Sequence, residues 1–200
     1  RSQTVTGVQT CALPISVDTT GAGDASFSGS GGGYTINAAG ADVWTRDDEY
    51  GAVYEKDVSG DVVARTTVES QEDTHGWAKA GLMIANDITA PGSSAGDVIV
   101  AATPGNGFIF QWDHDGSGYI SEYVGSGSVS YPIELRLTKV GTDFKAEYST
   151  DGGATWTTIG SAVLEEANST QDVGLVTPSH NTGTKRTAEF ANSSIAPPSV

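Results

Sequence analysis

The chain has 200 residues, 25 of them acidic and 10 basic, for a net charge of −15. That balance repels a nucleic-acid backbone and excludes that class of partner, and no run of 18 apolar residues is present to span a membrane as a helix. A hydrophobic share of 37% with 26 glycines suits many short strands joined by tight turns, because glycine supplies the positive-φ positions that turns demand.

Residues 1–16 are set apart from the fold. Residues 5–15 spell the in-frame translation of a common sequencing-library adapter, so this stretch is read as an artefactual leader. Its Cys11 is the only cysteine in the chain, so no internal disulfide can form. A β-sandwich domain is assigned to residues 17–195 and the start of a linker to a neighbouring domain to residues 196–200.

Residues 17–33 are rich in Gly, Ser, Thr and Asp around one large anchor, Phe27. Short strands are predicted at 34–36, 41–44 and 50–54, with an acidic turn at 46–49. Residues 61–70 form the clearest strand by β-branched content. Alternation sends Val62, Ala64, Thr66 and Val68 to a core and Val63, Arg65, Thr67 and Glu69 to a half-polar outer surface. Residues 78–84 carry helix formers, but Gly81 at the centre and the short length indicate a buried strand. Strands at 97–103 and 107–112 flank a Pro-Gly-Asn-Gly turn. Residues 133–139 and 143–149 alternate cleanly, and 156–159 completes a hairpin with the second of these. Strands at 173–177 and 187–190 close the set, and 163–167 is a single helical turn. This rhythm indicates an all-β fold.

The motifs carry little chemistry. Ser149-Thr-Asp-Gly-Gly-Ala-Thr-Trp156 matches the Asp-box pattern, a hairpin turn in which Asp151 caps backbone N–H groups and Trp156 packs beneath. Asp113-His-Asp-Gly-Ser-Gly-Tyr-Ile120 matches the first positions of an EF-hand loop. Position twelve, where calcium takes a bidentate carboxylate, is Val124. A plain hairpin loop is one reading, and a weak calcium site at Asp113 and Asp115 is the other. Calcium is the one candidate cofactor. His75, His114 and His180 are too scattered for a zinc set. Glu69, Glu72 and Asp73 are spaced so that they fall on different faces, and no catalytic pair is assigned. Phe108, Phe110 and Trp112 share one face, which is either core or a sugar-stacking row with Trp112 as its platform. Arg65, Glu69, Arg136 and Glu147 are candidates for a polar ligand-binding sheet surface. Trp44 and Trp77 read as core or edge anchors.

Seven segments occur together in an order that resembles concanavalin A-like (laminin-G-like) jelly-roll domains. They are Gly23-Asp-Ala-Ser-Phe27, Gly40-Ala-Asp-Val-Trp44, Gly60-Asp-Val-Val-Ala-Arg65, Trp77-Ala-Lys-Ala-Gly-Leu-Met-Ile84, Thr103-Pro-Gly-Asn-Gly107, Tyr148-Ser-Thr-Asp-Gly152 and Val173-Gly-Leu-Val176. The nearest subset is the uncharacterised secreted kind attached to glycosidases, lyases and surface proteins. The resemblance spans 18–195 and implies a two-sheet antiparallel jelly-roll sandwich in an extracellular or cell-surface setting. It implies carbohydrate binding only as a tendency, since fold does not fix function. The expected role is a non-catalytic accessory module that binds a polysaccharide or glycan weakly. The alternatives are a structural or adhesive spacer with no ligand, or a glycoside hydrolase or lyase. The acidic composition fits either a salt-loving source, where hydrated acids keep a protein soluble, or an ordinary acidic extracellular domain, and the scarcity of lysine favours the first.

Overall fold

The computed structural model describes residues 14–20, 24–90 and 96–199. Two antiparallel sheets of seven strands face each other. The front sheet runs β1 (Ile15–Asp18), β6 (Gly51–Ser59), β15 (Thr170–Thr177), β8 (Ala80–Ala85), β9 (Val98–Thr103), β10 (Gly107–Trp112) and β11 (Glu122–Ser126). The back sheet runs β14 (Thr157–Val163), β13 (Asp143–Ser149), β12 (Ile133–Val140), β7 (Val62–Gln71), β16 (Asn181–Ala196), β3 (Gly33–Gly40) and β2 (Ser26–Ser30). The remaining strands, β4 (Val43–Trp44) and β5 (Asp47–Asp48), form a small separate hairpin. The architecture is a jelly-roll sandwich, as the strand rhythm and the family resemblance predict.

The principal core lies between the sheets. Leu82, Val100, Phe108 and Phe110 of the front sheet meet Val68, Leu135, Leu137 and Phe144 of the back sheet, all 3% exposed or less. Clean alternation on β12 puts Ile133, Leu135 and Leu137 inward and leaves Glu134, Arg136 and Thr138 half-buried on the outer surface. On β7, Val62, Ala64, Thr66 and Val68 are buried while Arg65 and Glu69 are exposed.

The front sheet differs because it is buried on both faces. Met83, Ile99, Ala101 and Ile109 point away from the principal core, yet they are 0–1% exposed beneath Val43, Ile88 and Ile120. Two-faced burial explains why β8, β9 and β10 read as continuous apolar runs rather than as alternating patterns. It also explains Gly81. A Cβ built there would lie 2.0 Å from the Val100 carbonyl oxygen, so only glycine lets β8 approach β9 this closely.

Within the two large sheets, three strands fall outside the predicted set, β1, β2 and β11, and the short β5 occupies the predicted acidic turn. All three are sheet edges. An edge strand gains its ladder hydrogen bonds from one neighbour and needs few buried side chains, so its sequence carries little periodic signal. Ile15 and Ser16, assigned to the leader by sequence, pair with Tyr54 and Val53 in β1; residues 1–13 lie outside the described chain. The expected helical turn is a lone turn after β14, closed by the Ala167 N–H donating to the Leu164 carbonyl at 3.2 Å.

Candidate functional site

The side chains that converge most clearly lie on the outer face of the front sheet. On β10, Phe108, Phe110 and Trp112 turn toward the principal core, so Ile109 and Gln111 turn outward. The β4–β5 hairpin folds over this outer face. Its root is Gly40, at φ 130°, where a Cβ would lie 2.0 Å from the Glu49 carbonyl oxygen. Two backbone bonds clamp the hairpin down, Thr45 N–H to the Ile120 carbonyl at 2.8 Å and Ile120 N–H to the Thr45 carbonyl at 3.0 Å. The hairpin thereby delivers Trp44, the segment before β8 delivers Trp77, and β11 delivers Tyr123.

Tyr123 stands edge-on to both tryptophans. Its ring centroid is 5.9 Å from that of Trp44 at 85° and 6.2 Å from that of Trp77 at 89°. The three rings line a cavity of about 230 Å³ together with Asp42, Lys79, Gln111 and His180. Gln111 is 4% exposed and its side-chain carbonyl oxygen has no hydrogen-bond partner. Leaving a buried acceptor unpaired costs about 1–3 kcal/mol, a cost removed when a ligand donor reaches it.

The polar wall is a buried charge pair. The Lys79 ammonium, 2% exposed, donates to the Asp42 carboxylate. Burial pulls the Lys79 pKa below its ordinary value, and Asp42 opposes that pull. Asp42 also accepts from the Val43 N–H at 2.8 Å and sits 3.3 Å from Nε2 of His180. His75 stacks on His180 with centroids 4.1 Å apart. The two histidines, far apart in sequence, therefore meet at the pocket rim, whereas His114 lies on the 113–121 loop.

Beneath the hairpin is a second charged feature. Asp48, on β5, is 3% exposed and both its carboxylate oxygens lack hydrogen-bond partners. Burial, and then the nearby Asp47 and Asp113, push its pKa up to about 7. Asp97 is raised well above the carboxylate range by burial and by Asp48 and Asp113.

The residues singled out by sequence are distributed over several places. Trp112 is part-buried against the principal core with its ring 4.9 Å from Phe110, and it does not line the aromatic pocket. Arg65, Arg136 and Glu147 do come together, on the outer face of the back sheet. Strand register aligns Glu147, Arg136 and Arg65 in one lateral row. Arg136 donates to Glu147 at 2.6 Å and Lys145 reaches it at 2.7 Å. Burial raises the Glu147 pKa, but these two cations hold it below its ordinary value. The guanidinium carbons of Arg136 and Arg65 lie 4.1 and 5.6 Å from the Trp156 ring. Glu69 is exposed farther along β7 and takes no part in this row.

Asp151 holds the Asp-box turn. It accepts from the Thr155 N–H at 2.9 Å and from the Thr155 hydroxyl at 2.6 Å, and these bonds with that from Ser149 bring its pKa down to about 2.

The Asp113–Asp115 loop is also closed on itself. Asp113 accepts from the N–H groups of Asp115, Gly116 and Gly118 at 3.1–3.2 Å, and Asp115 from that of Ser117 at 3.0 Å. Calcium takes six to eight oxygen ligands. Among the described residues, no group of three or more His, Cys, Asp or Glu side chains comes together as a metal-ligand set.

Sequence reasoning missed the aromatic pocket because its three rings come from three distant segments. The available signal was large aromatics set among polar neighbours, namely Trp44 before Thr-Arg-Asp-Asp, Trp77 after His-Gly and Tyr123 after Ser-Glu.

No family model matches the chain, and no curated protein matches it. Solved structures do. A functionally unknown protein from Saccharomyces cerevisiae superposes with a TM-score of 0.73 at 14% identity, covering 94% of this chain and 98% of its own. Lectin II from Ulex europaeus gives 0.57 at 13% identity, covering 92% of each chain. The GH43 protein BlXynB from Bacillus licheniformis gives 0.57 at 14% identity, covering 79% of this chain and 31% of its own. At these identities the likeness establishes fold, and the fold is that of the concanavalin A-like lectin and glucanase jelly rolls.

Proposed function

We propose that the chain is a non-catalytic carbohydrate-binding module of a secreted or cell-surface protein, and that it holds its sugar in the Trp44–Trp77–Tyr123 pocket. The observation that carries this reading is the set of three rings around a cavity whose lining includes Gln111, with its side-chain carbonyl oxygen unpaired. A pyranose offers apolar C–H faces to aromatic rings and hydroxyl donors to a buried amide acceptor, which matches a pocket with apolar walls and few placed polar groups. The lectin among the fold neighbours supports the class of ligand. The partial match to a GH43 protein supports a role as an appended module. Hydrolysis of a glycosidic bond uses two carboxyl groups flanking the bond. The pocket lining offers one, Asp42, and that one is tied to Lys79.

The test is titration of the folded protein with a panel of sugars, following tryptophan fluorescence and heat. Binding should be present in the wild type and in Trp156→Ala, whose ring lies on the back sheet. It should fall about thirtyfold or more, the weight of a central aromatic contact, in Trp44→Ala and Trp77→Ala. Equal binding by all four proteins would refute the placement. Absence of binding across the panel would refute the function.

A further inference from the structure

We infer, resting on the carbohydrate reading just given, that the pocket receives the uncharged terminal ring of a glycan and not an internal stretch of a polysaccharide. The first reason is the roof over the front sheet. A chain-binding groove needs a length of open sheet face on which successive rings can lie. Here Met83 and Ile99 are fully buried and Ile109 is 1% exposed, because Val43, Ile88 and Ile120 cover them. That cover is fastened at two points. The Thr45–Ile120 backbone bonds hold the hairpin to the 113–121 loop. The Tyr50 hydroxyl, donating to the Ile88 carbonyl at 2.6 Å, holds down the segment after β8. The sheet face next to the pocket is therefore closed to a passing chain.

The opposite side is closed as well. Asp42, Lys79 and His180 form a linked polar wall, with His75 stacked behind His180. Tyr123, 51% exposed, stands at the mouth. The pocket's volume of about 230 Å³ is smaller than the roughly 300–1,000 Å³ of pockets that take drug-sized ligands. A single ring fits that scale and several consecutive rings do not.

Charge selects among rings. Of the lysines and arginines, only Lys79 lines the pocket among the described residues. It is 2% exposed and its ammonium is committed to Asp42, so it cannot meet a sugar carboxylate. Paired with each other, Lys79 and Asp42 leave the wall no free cation for an anion, and the molecule as a whole carries −15, which repels uronates and sulfated sugars on approach. A neutral ring with hydroxyls directed at Gln111 meets none of these penalties.

The experiment is isothermal titration of the wild type with methyl pyranosides of glucose, galactose, mannose and xylose, with their di- to hexasaccharides, and with glucuronate and galacturonate. At least one methyl pyranoside should bind. Extending it to the hexasaccharide should change Kd by less than about threefold, under 1 kcal/mol, and the uronates should show no heat. Tyr123→Ala, an exposed position that leaves the core untouched, should weaken the monosaccharide and hexasaccharide equally. A gain of about tenfold or more from one ring to six, worth 1.4 kcal/mol, would reveal neighbouring subsites. It would overturn terminal recognition while leaving carbohydrate binding in place. Uronates binding as well as neutral rings would overturn the charge selection. No binding by any sugar, with the circular dichroism of the folded sandwich intact, would remove both proposals.

Discussion

The buried Asp48 makes the stability of the protein depend on pH in an unusual direction. Its carboxyl is 3% exposed, has no hydrogen-bond partner, and faces the fields of Asp47 and Asp113. In the unfolded chain it titrates near the ordinary 3.8, and in the folded chain near 7. The folded state thus binds the proton more tightly, and stability falls as pH rises between those two values. At 1.36 kcal/mol per pH unit, the interval from 3.8 to about 7 corresponds to about 4 kcal/mol lost between pH 4 and pH 8. Asp48→Asn imitates the protonated acid at every pH and should escape that loss. At pH 8 the variant should be more stable than wild type by up to about 4 kcal/mol, which for about 200 residues is a rise in Tm on the order of 10 °C. At pH 4 the two proteins should melt within about 2 °C of each other, a difference below 1 kcal/mol. Thermal and urea melts across pH 4–8, both proteins in the same buffers, measure this directly. A pH-independent gap between the two, or a variant less stable than wild type at pH 8, would refute the reasoning.

Other predictions follow from the packing and the charges. Gly81→Ala should destabilise the fold by about 1–3 kcal/mol, the usual range for overpacking a core, since its Cβ would strike the Val100 carbonyl; an unchanged urea midpoint would contradict the close β8–β9 approach. Adding EDTA should leave the melting temperature unchanged, because Asp113 and Asp115 already accept from their own loop's N–H groups; a clear drop would assign a structural cation to that loop. Molar NaCl should raise the melting temperature, since screening relieves the self-repulsion of a chain at −15. A flat or falling response would argue against salt adaptation.

The fold was far more legible than the site, and the two sheets show why. On the back sheet, one face is wet, so β12 and β13 write their orientation into the sequence: Ile133, Leu135 and Leu137 alternate with Glu134, Arg136 and Thr138. Each polar residue there can be placed from its neighbours, and Arg65, Arg136 and Glu147 do share one row. On the front sheet both faces are dry, and the alternation vanishes. Nothing in Gly-Phe-Ile-Phe-Gln-Trp tells which of Phe110 and Gln111 looks outward until the hairpin that covers Ile109 is known. Trp112 has the composition of a stacking platform, but its parity on β10 sends it to the principal core.

The same burial that hides the site in the sequence also creates it. A sheet with one open face could recruit aromatics from its own strands at period two, and those would be readable. Once a hairpin and two loops seal most of the outer face, the remaining opening is bounded by whatever those covering segments present at their margins. Trp44 comes from the hairpin and Trp77 from the approach to β8, and β11, an edge strand, adds Tyr123. Their convergence depends on Gly40 turning the chain at φ 130° and on the Thr45–Ile120 clamp. Both are backbone features: the first demands glycine but does not say where the turned chain leads, and residues of many kinds could form the second. Gln111, turned outward on β10, lines that remaining opening. In this doubly buried sheet, therefore, the opening is set by the covering segments, and no aromatic row along the strands locates it.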